Sequence, residues 1–174
     1  MRKIYLGVIA LVFYCNIWAQ HNAGHNGRVL MIASNPAVSQ QTGWPIGTWY
    51  AEVAHPYWAF MEAGYSVDIA SPDGGEVTFD SFSDPEDPSR YAAFDYVSLG
   101  FKKDPVRMSM MKNTLKLSMV NPSDYKAIFV CGGQGPMYTF IDNEPLHKFF
   151  VDFYLTGKPA AAICHGTCIL LKAK

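Results

Sequence analysis

Four short, mainly apolar runs, separated by turn residues and by stretches of helical spacing, constrain this 174-residue chain most. They are Arg28-Val-Leu-Met-Ile-Ala33, Ser66-Val-Asp-Ile-Ala70, Lys126-Ala-Ile-Phe-Val130 and Pro159-Ala-Ala-Ala-Ile163, and all four read as strands. The first is continuously apolar, as for a strand buried on both faces. Between the first two, residues 49–63 repeat apolar side chains at helical spacing (Val53, Tyr57, Phe60, Met61), with Gly64 placed as a C-cap. Pro56 inside that pattern predicts a kink or a break. Residues 145–154 form a second helical pattern, opened by Pro145 and ended by Gly157. Residues 108–120 also read as helix, and so does the chain from His165 to Lys174. Residues 79–100 are irregular and too long for an ordinary loop, so they read as a functional insertion or a lid. Strands alternating with helices predict an α/β fold with a mostly parallel sheet covered on both faces, and ligands in such sheets bind beyond the carboxyl ends of the strands.

Composition narrows the function classes. The apolar fraction is 49% and the charged fraction 17%, which excludes a disordered tail and a coiled coil and fits one compact domain. The net charge is −1 and the basic residues are scattered singly, so no basic field awaits nucleic acid and no polybasic run awaits anionic lipid.

Arg2 and Lys3 precede an apolar run from Ile4 to Trp18, which stops at Ala19 before polar Gln20-His21-Asn22. This is the pattern of a signal peptide over residues 1–19, shorter than the roughly 20 residues of a membrane span. Residues 20–27 are a polar lead-in, and the domain runs over residues 28–174. The expected location is periplasmic or secreted, with no membrane association after cleavage. The mature chain keeps Cys131, Cys164 and Cys168. An odd number in an exported chain is no disulfide framework, so at least one thiol needs burial or reactivity to explain it.

The chemistry concentrates at strand ends. Ala162-Ile163-Cys164-His165-Gly166-Thr167 runs from a short apolar strand into a cysteine and then a helix, the layout of a nucleophile elbow with Cys in place of Ser. A helix start beside the sulfur favours thiolate, the attacking species. The same hexapeptide also fits a small buried cysteine at a strand end. Gly132-Gly133-Gln134-Gly135 follows a strand, and its N–H groups, with that of His165, could hold an oxyanion or simply form a turn. Glu52 opens the first helix and reads either as a proton partner of the cysteine or as a solvated first-turn acid. His165 is a candidate general base, or serves through its backbone alone. His55 reads as structural or pocket-lining, Cys168 as core, and Cys131 as core or a resolving thiol. No spacing matches a zinc site, and no dinucleotide fingerprint is present, so neither metal nor cofactor is expected.

These residues form a pattern. Thr42-Gly43-Trp44 leading to Glu52, His55-Pro56-Tyr57, Ala63 to Pro72, Gly132 to Met137 and Ala162 to Gly166 together resemble the ThiJ/PfpI superfamily, and its glyoxalase III-type branch in particular. The resemblance implies a flavodoxin-like three-layer sandwich and a homodimer. It implies that Cys164 is the nucleophile, Glu52 its protonation partner and His165 its catalytic neighbour, with the Gly133 and His165 amides as oxyanion donors. Gly132, Gln134, Trp44 and Tyr138 would line the pocket. The implied reaction converts methylglyoxal-type 2-oxoaldehydes to 2-hydroxy acids without glutathione. The alternatives within the superfamily are a stress-related chaperone, deglycase or redox-responsive protein, and thirdly an amidase or peptidase. Two departures stand out: Gln134 occupies a position where many relatives carry His, and the superfamily domain continues past the elbow helix. The expectation is therefore a chain incomplete at its C-terminus, with the last strands and an acidic partner for His165 missing.

Overall fold

The computed structural model of the chain describes residues 25–172; the expected signal peptide lies outside them. Five parallel strands form one sheet in the order β3-β2-β1-β4-β5: β1 Arg28–Ile32, β2 Ser66–Ser71, β3 Leu115–Lys116, β4 Ala127–Val130 and β5 Ala160–Ala162. The helices are α1 Tyr50–Glu62, α2 Tyr96–Lys103, α3 Pro105–Lys112, α4 Pro136–Thr139 and α5 Glu144–Leu155.

The first apolar run is continuous because β1 is buried on both faces. Leu30 and Ile32 pack into one core with Ile128, Val130, Phe140, Phe150 and Phe153, beneath α5. Met31 and Ala33 face the other side and pack with Val53, Tyr57, Ile69, Phe101 and Met111 from α1, β2, α2 and α3. Successive strand residues thus serve opposite layers. No helix among the described residues is long and apolar enough to cross a membrane.

Three local expectations change. The helix expected over residues 108–120 ends at Lys112, and Leu115–Lys116 adds an edge strand beside β2 (Ala70 opposite Leu115). That strand is two exposed residues long, so it has no apolar period to read. The segment 79–100 is pinned rather than loose. Lys102 Nζ reaches Asp84 at 2.6 Å, Lys103 reaches Glu86 at 2.7 Å, and Tyr91 meets the Trp49 ring edge-on at 6.1 Å. α2 already begins at Tyr96, capped by the Asp95 carboxylate, which accepts from the Ser98 N–H. Finally, α1 runs through Pro56 unbroken. The missing N–H of Pro56 deprives only the carbonyl of Glu52, four residues earlier, of its helical donor.

The chain steps outward from β1 to β2 to β3, then returns to the other side of β1 for β4 and β5. The reversal lies between β1 and β4. Parallel α/β sheets offer ligands a crevice at the carboxyl end of such a pair. Ser34, Cys131–Gly135 and Cys164 all follow strands at that edge.

Candidate active site

Cys164 follows β5 by one residue and adopts φ +51°, the left-handed region that a side-chain-bearing residue rarely enters. Such a conformation costs about 1–3 kcal/mol and persists only where the surroundings impose it. Here they do. Ile163 is still extended (φ −123°, ψ 152°), and the Gly166 N–H returns to its carbonyl at 2.9 Å. Gly166 is packed so tightly that a Cβ would lie 2.6 Å from the Cys131 carbonyl oxygen. The chain after Cys164 winds as 3₁₀ turns over Cys164–Leu171 instead of the expected α-helix. The Thr167 hydroxyl donates to the Cys164 carbonyl at 2.6 Å, a three-residue closure that favours the tighter winding. The bend leaves Cys164 exposed, whereas Cys131 and Cys168 are buried. Burial pushes both of those thiols up, and the Cys168 thiol points to the Pro136 carbonyl at 3.3 Å.

Glu52 stands in the first turn of α1. That helix start has no side-chain cap of its own. Its end is held instead by the Trp49 N–H to the Gly132 carbonyl (3.4 Å) and by the Tyr50 N–H to the Ser83 hydroxyl (3.0 Å). The same contact fixes the glycine loop. Gly133 has φ +96° and lies so close to residues 47–49 that a Cβ would sit 2.3 Å from the Gly47 carbonyl. A Cβ on Gly132 would lie 2.3 Å from Glu52 Oε2 and 2.8 Å from Cys164 Cβ, so the acid and the cysteine are no further apart than those two distances joined. Glycine at 132 is what lets them meet.

Glu52 Oε2 is buried and forms no hydrogen bond of good geometry. Burial pushes the Glu52 carboxyl above the ordinary carboxylate range, partly opposed by the Cys164 thiol, the Gly132 N–H and the charge of the His165 ring. Those groups therefore act on the carboxylate at close range without forming ideal bonds to it. A carboxyl so placed binds a proton more readily than a solvated one, next to a thiol with which it can share that proton.

The His165 ring is oriented by its own loop: Nδ1 lies 3.0 Å from the Gly133 carbonyl oxygen. A carbonyl only accepts, so Nδ1 carries the proton and Nε2 of the neutral ring carries the lone pair. Neither the Gly133 nor the His165 amide donates to a backbone carbonyl among the described residues.

The structure places the remaining residues singled out in the sequence as follows. Gln134 and Trp44 are exposed, Trp44 at the end of a loop closed by the Ser39 N–H to its carbonyl (2.9 Å). Tyr138 lines a different cavity, with Val38 and Asn35, that does not include Cys164. His55 lies 2.9 Å from Asp95, tying α1 to the start of α2. Among the described residues no cluster of His, Cys, Asp and Glu could hold a metal ion.

Sequence reasoning missed the frame behind the glycine loop. The Ser34 N–H donates to the Thr48 hydroxyl (3.1 Å), Ser34 Oγ meets Thr139 Oγ1 (3.0 Å), and that hydroxyl lies 2.9 Å from the Gly135 carbonyl. Ser34 and Thr48 are fully buried. The only signal was their polarity next to an otherwise apolar strand.

A model of the DJ-1/PfpI family matches residues 47–174, which include α1, the glycine loop and the elbow. The chain belongs to the DJ-1/PfpI family. Among its relatives is a probable glutathione-independent glyoxalase of Schizosaccharomyces pombe, 29% identical over 143 residues, which cover 71% of this chain and 54% of that protein. Glyoxalase 3 of Candida albicans is 27% identical, over 81% of this chain and 58% of its own length. Among solved structures, Rapid Encystment Protein 24 KDa of Francisella tularensis superposes with a TM-score of 0.73 at 32% identity, over 85% of this chain and 63% of that one. The structure of glyoxalase III from Candida albicans gives a TM-score of 0.64 at 26% identity, over 86% and 62%. The chain spans between half and two thirds of the length of these relatives.

Proposed function

We propose that this chain carries the catalytic site of a glutathione-independent glyoxalase, which converts methylglyoxal-type 2-oxoaldehydes to 2-hydroxy acids. The single observation that carries the reading is an exposed cysteine held at φ +51° beside the buried Glu52 carboxyl, whose Oε2 forms no hydrogen bond. The names of the relatives support the substrate class.

The chemistry then follows from the residues. The Cys164 sulfur adds to the aldehyde carbon, the carbonyl electrons move to oxygen, and a proton completes a hemithioacetal. The Gly133 and His165 amides stabilise the oxyanion formed on the way. The C–H proton of the former aldehyde carbon passes to the Glu52 carboxylate or to His165 Nε2, giving an enediolate; the hydroxyl proton on that carbon moves to the neighbouring oxygen, and the C–H proton is returned to the neighbouring carbon. The product is a 2-hydroxyacyl thioester of Cys164. Water cleaves it, releasing the acid and restoring the thiol. Methylglyoxal plus water gives lactate and a proton, with no net oxidation. D- or L-lactate formation, measured with stereospecific dehydrogenases, tests this. Cys164→Ser is expected to abolish lactate formation, and turnover equal to the parent's after that change refutes the reading.

A second reading is a holdase. It is favoured by exposed aromatic side chains on the segment before α2 and at its first residue, where Phe82, Tyr91, Phe94 and Tyr96 are 57–79% exposed. It predicts suppression of client aggregation that survives both Cys164→Ser and Glu52→Gln. Export through removal of residues 1–19 belongs to the primary proposal, and N-terminal mass spectrometry of the protein from its native compartment tests it. Assembly into a homodimer is tested by sedimentation.

A further inference from the structure

The crevice at the carboxyl edge of the sheet is divided by the glycine loop. Cys164 lies on the β5 side. On the β1–β2 side is a cavity of about 440 Å³, which neither Cys164, Glu52 nor Gly132 lines. Its volume falls within the range of about 300–1,000 Å³ typical of small-molecule sites. The mechanism above does not use it.

Its walls are built from three strand ends. The loop after β1 contributes Val38 and Gln41, the turn after β2 contributes Asp73, and α4 contributes Tyr138. Asn35 braces the first two. Its Nδ2 donates to the Ser71 hydroxyl (2.8 Å) and the Gly74 carbonyl (2.9 Å), and its Oδ1 accepts from the Asp73 N–H (3.1 Å). The frame is therefore preorganised rather than assembled on binding. Among the lining residues, the half-buried Tyr138 hydroxyl and the solvent-exposed Gln41 side-chain amide at the rim make no hydrogen bond to protein among the described residues.

The lining also states what it would take. It contains no lysine, arginine or histidine, and Asp73 is its one charged side chain. An anion would meet a carboxylate and no counter-charge. A carboxylate, an amide and a phenol hydroxyl beside aliphatic Pro72 and Val38 suit a ligand with several hydroxyls on one face and C–H bonds on the other. We propose that this cavity is a second small-molecule site, which binds a neutral polyhydroxylated ligand of monosaccharide size. The proposal does not depend on the glyoxalase reading, because the cavity shares no residue with that site.

The test separates the two sites. The Cys164→Ala protein, which cannot form an adduct, is titrated with methyl α-glucopyranoside, a glycoside with no free aldehyde, by calorimetry and by amide chemical-shift mapping. Saturable millimolar binding is expected, with shifts confined to residues 35–41, 72–74 and 138–143. Tyr138→Phe and Gln41→Ala should each weaken it about two- to tenfold, the value of one hydrogen bond. Asp73→Asn should weaken the glycoside similarly while admitting the glucuronide that the parent excludes. Absence of saturation overturns the proposal. So do shifts centred on residues 132–134 and 163–166, tighter binding of methyl glucuronide or glucosamine than of the neutral glycoside, and affinity untouched by all three substitutions.

Discussion

Alanine in place of Gly132 probes the site at its tightest point. The new Cβ would lie 2.3 Å from Glu52 Oε2 and 2.8 Å from both Cys164 Cβ and the Ile163 carbonyl oxygen. Ordinary contact begins near 3.4 Å, so the carboxylate must withdraw by about 1 Å and the Ile163–Cys164 segment by about 0.6 Å. Gly132 is not in the left-handed region, so alanine can adopt its backbone and the effect is steric. A misplacement of about 1 Å in a proton-transferring group costs about 100-fold in rate, or about 2.7 kcal/mol in the barrier. Overpacking itself costs about 1–3 kcal/mol of stability, a fall of several degrees in Tm for a chain of this size. Gly100→Ala in α2 is the control. Nothing lies within 4 Å of its added Cβ, and it should gain roughly 0.5–1 kcal/mol of stability with turnover unchanged. The assays are kcat/KM for lactate formation from methylglyoxal, the alkylation rate of Cys164 against pH, and thermal melting. A folded Gly132→Ala protein whose kcat/KM stays within threefold of the parent would refute the idea that Glu52 works through contact with Cys164.

Three further expectations follow from the same geometry. Burial holds the folded-state pKa of Glu52 above the ordinary value of 4.5, so ionising it weakens the fold as pH rises through the raised pKa. Glu52→Gln should accordingly raise Tm at pH 7, and the gain should vanish near pH 4, where both states are protonated; turnover is lost throughout. A variant melting at or below the parent at pH 7 contradicts this. His165→Asn keeps a donor for the Gly133 carbonyl but loses the Nε2 lone pair. It should lower kcat by about 10²–10⁴ with Tm little changed, and an unaltered kcat–pH profile would remove His165 from proton transfer. Phe140 is fully buried in the core beneath α5, so Phe140→Ala should cost about 3–5 kcal/mol, read from the midpoint of urea unfolding at constant m.

How far the sequence could be read depended on the range of the interactions. β1, β2, β4 and β5 were legible because each is a mainly apolar run, and α1 and α5 because their periods and caps are local. β3 was not, since it exists only through its pairing with β2 and buries nothing. The 3₁₀ winding after Cys164 was not legible either, because its apolar residues also fit an α-helix and the sequence carries no signal for the tighter turn. At the candidate site, Cys164, Glu52 and the glycine pair could be picked out by residue type and place relative to strand ends. Two features could not: the choice of Nδ1 as the protonated His165 nitrogen, and the buried hydroxyls of Ser34, Thr48 and Thr139. Both depend on partners 14 to 105 residues away, and a hydroxyl leaves no periodic trace of the partner it will find.

The staple between Trp49 and Gly132 has a kinetic corollary. It joins the first third of the chain to the last, so acid and thiol cannot adjoin until β1, β4 and β5 have docked. Until then Cys164 lacks its carboxyl neighbour. On the proposed mechanism, the proton partner of the thiol is therefore supplied by the completed sheet and not by the local sequence around the cysteine.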